Sequence, residues 1–408
     1  MTDIYNSEAR LERFLERINK CDSISEKNKE LIFNFKDNCF AEGLSISRVL
    51  RYLYDLSTLA RLLEKDFDSI NIDDIKTTVM RFETEKLKHG NEMYSESTRE
   101  GFRITLKKFY NWQRKCEDKE YPPEVKWIKT RKVMKEKNPN DFLTEEDIKK
   151  LIEHAESHRN KALVSTLSDS GLRISELLNL RIKDVRFDEV GAILHVKNAK
   201  HSGTGSRFVR VIFASPYLKE WFDLHPLRDD SESYIFVTKD GQRVKYPYVR
   251  GMLERLRKGA GIKKRVNPHN FRASKATWYA KHKVGDRNLM KIFGWRSPNT
   301  AGYYVALADD EVDKVVLDVH QINREEREEP LLKPITCVAC KQINAPTTKY
   351  CVACGFPLDE KLRKETLARR RADFILNTVV KEEKGFKEML EKVVEKKIKE
   401  MLNRGVLN

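Results

Sequence analysis

Within "KALVSTLSDSGLRISELLNLRIKDV", residues 161–185, apolar residues recur three and four apart, pause at Ser170–Gly171 and resume. That pattern predicts one helix, a turn and a second helix. Two short β-rich runs follow, "GAILHVKNA" (191–199) and "RFVRVIF" (207–213), joined by the Ser/Gly-rich "KHSGTGS" (200–206). Alternation on both sides of such a joint predicts a β-hairpin. Beyond Pro216 the helical pattern returns to about Gln321. The centre of the chain therefore reads as a mainly α domain carrying a small antiparallel β-sheet.

Working towards the N-terminus, "LTEEDIKKLIEH" (143–154) opens this domain, with Thr144 and Asp147 in capping-box spacing. Before it lies "YPPEVKWIKTRKVMKEKNPND" (121–141). Its prolines, and six basic residues against one acidic between Lys126 and Lys137, predict a basic linker that packs in no core. Such a linker suits a phosphate backbone or serves as a solvated spacer. Residues 1–120 read as a compact bundle of four or five helices, from runs such as "EARLERFLERINK" and "ISRVLRYLYDLSTLARLLEK".

The 408 residues allow two or three domains, and 40% apolar content excludes a disordered chain. A formal net charge of +16 points to an anionic polymer, with nucleic acid ahead of membrane. The segment "RGMLERLRKGAGIKKR" (250–265), with seven basic residues and one acidic, is a candidate phosphate-facing stretch. No secretory leader and no apolar run of membrane-spanning length are visible. Three of the seven cysteines (Cys21, Cys39, Cys116) are scattered and four are clustered, which predicts a reducing, cytoplasmic setting and a metal site, not a disulfide framework.

"NPHNFRASKATWYAKHKVGDRNLMKIFGWRSPNTAGYYVAL" (267–307) concentrates His269, Arg272, Trp295, Tyr303 and Tyr304. Cutting a phosphodiester without metal needs a nucleophile, donors for the non-bridging oxygens and an acid for the leaving oxygen. Arginine suits the donor task, because its planar fork pairs two phosphate oxygens and stays charged. No Walker loop, Ser/His/Asp arrangement or paired-carboxylate pattern competes with this reading.

These boxes resemble those of tyrosine recombinases, the phage-type integrases and Xer-like recombinases. The resemblance implies that Arg173, in the "RISEL" run, is the first catalytic arginine, with Glu176 bracing nearby groups. It makes Lys200 the catalytic lysine of the hairpin, with Lys197 as the alternative. "PHNFR" supplies His269 and Arg272 of the H-x-x-R box, and "FGW" puts Trp295 where the family usually has His. The nucleophile normally follows that position by nine residues, which selects Tyr304 and leaves Tyr303 as a packing neighbour. Ala273 and Ala306 replace histidines common in the family, and Trp295 can pack and offer one N–H but cannot shuttle protons. The implied fold is an N-terminal helical DNA-clamping bundle followed by a catalytic domain at 142–325. The implied reaction passes through a 3′-phosphotyrosyl intermediate on double-stranded DNA. Val312, Val315, Val316 and Val319 form one stripe after Tyr304, which the resemblance reads as a helix exchanged between protomers of a DNA-bound tetramer. A nicking-closing enzyme of topoisomerase IB type and a silent DNA-binding regulator are the alternatives.

"CVACKQINAPTTKYCVACG" (337–355) pairs two C-x-x-C knuckles: Cys337, Cys340, Cys351 and Cys354. Four thiolates at that spacing predict a closed, structural zinc ribbon over 334–358, which resembles an archaeal integrase appendage when joined to the recombinase boxes. Gly355 suits the turn after the second knuckle. The charged tail, 359–408, reads as helical, with Phe386, Leu390, Val393, Val394 and Met401 on one face for a partner helix or for this chain's own surface.

Overall fold

A computed structural model describes residues 3–86, 93–117, 120–131, 139–197, 205–306, 330–382 and 384–403. The chain forms two compact units, residues 1–139 with 245–249, and residues 140–244 with 250–408.

The first unit is a five-helix bundle: α1 (Ser7–Asn19), α2 (Glu26–Ala41), α3 (Ile46–Leu63), α4 (Ile72–Thr84) and α5 (Glu96–Gln113). Helix α3 is the central element and packs against the other four, so its apolar residues run nearly all round it, from Val49 and Leu53 to Leu56 and Leu63. Side chains start the helices where the sequence places cap formers: Ser25 and Ser45 accept from the amides of Asn28 and Arg48. Asn71 and Asp74 close a capping box on α4. Phe109 sits at the aromatic centre, within 5.7 Å of the rings of Phe35, Phe67, Tyr110 and Trp112.

Part of the predicted linker belongs to this bundle. A short helix α6 (Pro123–Lys126) starts at Pro123, where a missing N–H costs nothing. Val125 and Ile128 are buried in the bundle core, Lys107 donates to the Ile128 carbonyl, and Glu100 accepts from the Arg131 amide. The two apolar residues, spaced three apart, outweigh the basic composition around them. Residues 132–138 lie outside the described residues.

The second unit opens with α7 (Glu145–Glu153), capped by Thr144 and Asp147 as expected. Next comes α8 (His158–Ser170), buried from Ala162 to Ser170 because α7, α10 (Ser215–Asp223), α12 (Pro268–Lys281) and the strand Arg207–Val211 surround it. A short α9 (Ile174–Leu178) leads into a sheet of three strands: β1 (Val185–Phe187), β2 (Ala192–Val196) and β3 (Arg207–Val211), antiparallel in that order. The predicted hairpin is β2–β3, with Leu194 opposite Val209. The added β1 is three residues long, too short to show alternation. Helices α11 (Tyr246–Gly259), α12, α13 (Asp286–Phe293) and α14 (Pro298–Ala306) follow. A two-stranded ribbon, β4 (Ile335–Thr336) and β5 (Ile343–Asn344), precedes two further helices, Glu360–Glu382 and Lys384–Asn403. Met389, Val393, Val394 and Ile398 of the last helix are exposed. No helix among the described residues is long and apolar enough to cross a membrane.

Truncating Phe109 to Ala leaves a void in the bundle. We expect a loss of about 3–5 kcal/mol in denaturant unfolding of the variant against wild type.

Candidate active site and metal centre

Arg272 is fixed first, by backbone. Gly171 caps α8 at φ +58°, a left-handed conformation, and its carbonyl accepts from Arg272 Nη1 at 2.9 Å. Alanine there would bring Cβ to 2.6 Å from the Phe293 ring. Helix α13 ends the same way, at Gly294 with φ +64°, and the preceding Phe293 carbonyl accepts from Arg272 Nη2 at 2.6 Å. Two helix C-termini, each the negative end of its dipole, thus converge on one buried guanidinium. Burial first, then the like charges of Arg173 and Arg207, still push Arg272 down to about 9, which leaves it protonated at neutral pH.

An aromatic column rises beside it. The Arg272 guanidinium lies 5.1 Å from the Phe293 ring centroid and 5.5 Å from that of Trp295. Trp295 stacks on Phe293 at 4.8 Å and on Tyr304 at 5.2 Å, the latter pair only 4° from parallel. Tyr303 meets Tyr304 edge-on at 5.4 Å. Burial raises the Tyr304 hydroxyl above its ordinary value, and the Arg272 charge opposes that rise.

The third component centres on Glu176. At the start of α9, its carboxylate accepts from the Arg173 amide at 2.9 Å and from Arg173 Nη1 at 3.3 Å. Arg207, on β3, grips the same carboxylate through Nη1 at 3.1 Å and Nη2 at 2.9 Å. Burial alone would raise Glu176, but the hydrogen bonds and charge of Arg207, with the Arg173 amide, hold it below the ordinary carboxylate value. The Arg173 side chain keeps 37% of its surface exposed. Three guanidiniums therefore share one carboxylate among the described residues of the cluster, which makes it a site for an anion.

The structure brings Arg173, Glu176, Arg272, Trp295 and Tyr304 into one cluster. His269 is exposed on the first turn of α12, one turn before Arg272. Lys200 and the stripe Val312–Val319 lie outside the described residues. Lys197, the alternative lysine, pairs with the buried Asp184 at 2.6 Å. Two members of the second unit escaped sequence reading. Lys275 reaches Asp169, whose other oxygen accepts from the amides of Ile212 and Ala214, tying α12, α8 and the end of β3 together. Arg207 had a visible signal: alternation along β3 places it on the same face as buried Val209 and Val211. An arginine on an inward face calls for a buried acid.

The four clustered cysteines converge as expected, their sulfurs all within 4.8 Å of one another. Cys337 and Cys354 are 3.7 Å apart and Cys340 and Cys351 3.5 Å, close to the ~3.8 Å edge of a tetrahedron with 2.3 Å metal–sulfur bonds. Buried Asn344 donates to Cys351 Sγ at 3.6 Å and accepts from the Val352 amide at 2.9 Å. Gly355 takes φ +69° after the second knuckle, and Lys341 takes φ +63° at the matching place after the first. The ribbon is anchored by Tyr217 of α10, whose hydroxyl meets Thr347 Oγ1 at 2.7 Å and accepts from the Thr347 amide at 3.3 Å. Burial pushes that phenol up to about 12.

Residues 141–311 match the phage integrase family. A tyrosine recombinase from Thermosipho africanus is 35% identical over 179 residues, covering 42% of this chain and 59% of the relative. The tyrosine recombinase XerA of Pyrococcus furiosus is 31% identical over 179 residues, covering 43% of this chain and 60% of the relative. The chain thus spans about 60% of the length of these two curated relatives. A crystal structure of XerH recombinase in a post-cleavage complex with a palindromic difH substrate shares the fold, at TM-score 0.54 and 19% identity, over 77% of this chain and 96% of that one.

The Glu176 carboxylate makes acid sensitivity testable. Its folded value is depressed, so the stabilisation is present above the ordinary glutamate value near 4.5 and is lost as pH falls through the folded value. Glu176→Gln should lose about 3–5 kcal/mol at neutral pH, because Arg207 is left buried without its counter-charge. Its unfolding free energy should also fall less steeply than wild type below pH 4.5, as read by denaturant titration across pH.

Proposed function

We propose, from the match of residues 141–311 to the phage integrase family and the likeness to tyrosine recombinases over that stretch, that the chain is a site-specific DNA recombinase that cuts and rejoins strands through Tyr304. The observation that carries this reading is the excess positive charge of Arg173, Arg207 and Arg272 around Glu176, beside the stacked Trp295–Tyr304 pair.

In the proposed reaction the Tyr304 oxygen attacks the scissile phosphorus and loses its proton. The bond from phosphorus to the 5′-oxygen breaks, leaving a 3′-phosphotyrosyl ester and a 5′-hydroxyl. Arg173, partly exposed, and Arg272, positively charged but walled in, hold the non-bridging oxygens of the five-coordinate phosphate. Burial of the phenol makes the neutral form the resting state, and the Arg272 charge favours the phenolate as it forms. Lys200 protonates the departing 5′-oxygen, and His269 helps the phenol lose its proton or orients the phosphate. Trp295 cannot relay a proton, and its contribution is to hold the phenol ring flat against the column. A 5′-hydroxyl from a partner duplex reverses the step, so neither metal nor nucleotide hydrolysis enters the balance. Assembly as a tetramer on DNA through the apolar stripe Val312–Val319, which lies outside the described residues, rests on the family resemblance.

Cys337, Cys340, Cys351 and Cys354 would hold a structural zinc ion. With all four positions taken by thiolates, the metal would supply folding energy to the ribbon. The recombinant protein should carry one zinc per chain by elemental analysis. Cys351→Ser should lose it and unfold the ribbon while the bundle's transition stays in place.

The chemistry is tested by incubating the protein with fragmented genomic DNA, denaturing, and looking for covalent protein–DNA species. Wild type and Tyr303→Phe should form adducts and Tyr304→Phe should not. Adducts lost only in Tyr303→Phe would move the nucleophile by one residue. DNA binding with no adduct in any variant would favour a regulator in a recombinase fold.

A further inference from the structure

Arg207 makes three connections that no other described side chain combines. Its Nη1 and Nη2 clamp both oxygens of Glu176, its Nε donates to the Ile292 carbonyl at 2.9 Å, and its own backbone sits in β3 opposite Val196. Both members of the clamp are nearly buried, at 8% and 4% side-chain exposure, so the pair forms in a weak dielectric where geometry matters most.

The two side-chain connections lead to groups that, on the recombinase reading, would touch DNA. Glu176, once clamped, holds the Arg173 amide and its Nη1. Ile292 immediately precedes Phe293, whose carbonyl holds Arg272, and Gly294 then turns the chain into Trp295 beneath Tyr304. One guanidinium thus bridges the segment that carries the first arginine and the segment that carries the stack. A planar fork is needed for this. Lysine can reach Glu176 with one point charge but cannot clamp both oxygens and serve the Ile292 carbonyl in the same plane.

We propose that Arg207 is a positioning residue of the strand-transfer centre, setting Arg173 through Glu176 and the Phe293–Trp295 turn through the Ile292 carbonyl. The inference rests on the recombinase reading for its catalytic consequence, and on the geometry alone for the effect on Arg173. The structural alternative is that Arg207 only neutralises a buried carboxylate, in which case any side chain that keeps the fold would serve.

The test uses full-length wild type, Arg207→Lys and Arg207→Gln. Lysine retains the charge and guards against loss of the fold. Two measurements are made on each: the single-turnover rate of adduct formation and the affinity for the duplex recovered from adduct sequencing, and the ¹⁵Nε signal of Arg173, identified by its disappearance in Arg173→Lys. We expect Arg207→Lys to form adducts about 10–100-fold more slowly at unchanged DNA affinity and unchanged melting temperature. We also expect the Arg173 signal to move towards that of a solvent-exposed arginine in both variants. Wild-type rates in Arg207→Lys, or an Arg173 signal that stays put, would overturn the proposal. If wild type itself forms no adduct while Arg173 is still released in the variants, the recombinase reading fails and the positioning of Arg173 by Arg207 stands.

Discussion

A carboxylate gripped by two arginines, in the field of a third, is the constraint on which the second unit depends. Glu176 accepts from Arg173 and Arg207, while Arg272 lies close enough for the charges to affect one another. Bringing three guanidiniums together costs energy, and one carboxylate offsets only part of it. The remainder is met by the carbonyl ends of two helices, at Gly171 and Phe293, and by the faces of Phe293 and Trp295. What is left over is a standing demand for an anion.

Much of this arrangement was legible in the sequence because its parts are local. The break in helical pattern at Ser170–Gly171 marks the carbonyl that later holds Arg272. The spacing from Arg173 to Glu176 puts both on one turn. The C-x-x-C pairs need nothing but their own knuckles to converge. Arg207 was harder, because its partner lies 31 residues away in another element. Alternation along "RFVRV" does place it inward, but periodicity alone does not name the acid that it meets. Lys275 and Asp169 were hidden for the same reason, 106 residues apart and within runs that read as ordinary helix.

Composition misled where a few apolar residues outweighed many charges. Residues 121–131 look like a spacer by charge, yet Val125 and Ile128 join the bundle core. Removing two aliphatic side chains from water is worth several kcal/mol, while solvated lysines and arginines around them cost little in staying outside. The ribbon raises the converse point. Its knuckles are self-contained, but Tyr217 and Thr347 attach it to α10, a contact between residues 130 positions apart that no local pattern announces. The ribbon thereby presents a fixed surface on the domain it is attached to.

In the proposed reaction the arginine cluster presents the scissile phosphate of a DNA strand to Tyr304. The direct measurement is mass spectrometry of a protein–DNA adduct trimmed with nuclease and trypsin, with fragmentation to locate the nucleotide. One modified peptide is expected, carrying a nucleotide joined through its 3′-phosphate to Tyr304. A nucleotide on Tyr303, on a serine, or joined through its 5′-phosphate would contradict it.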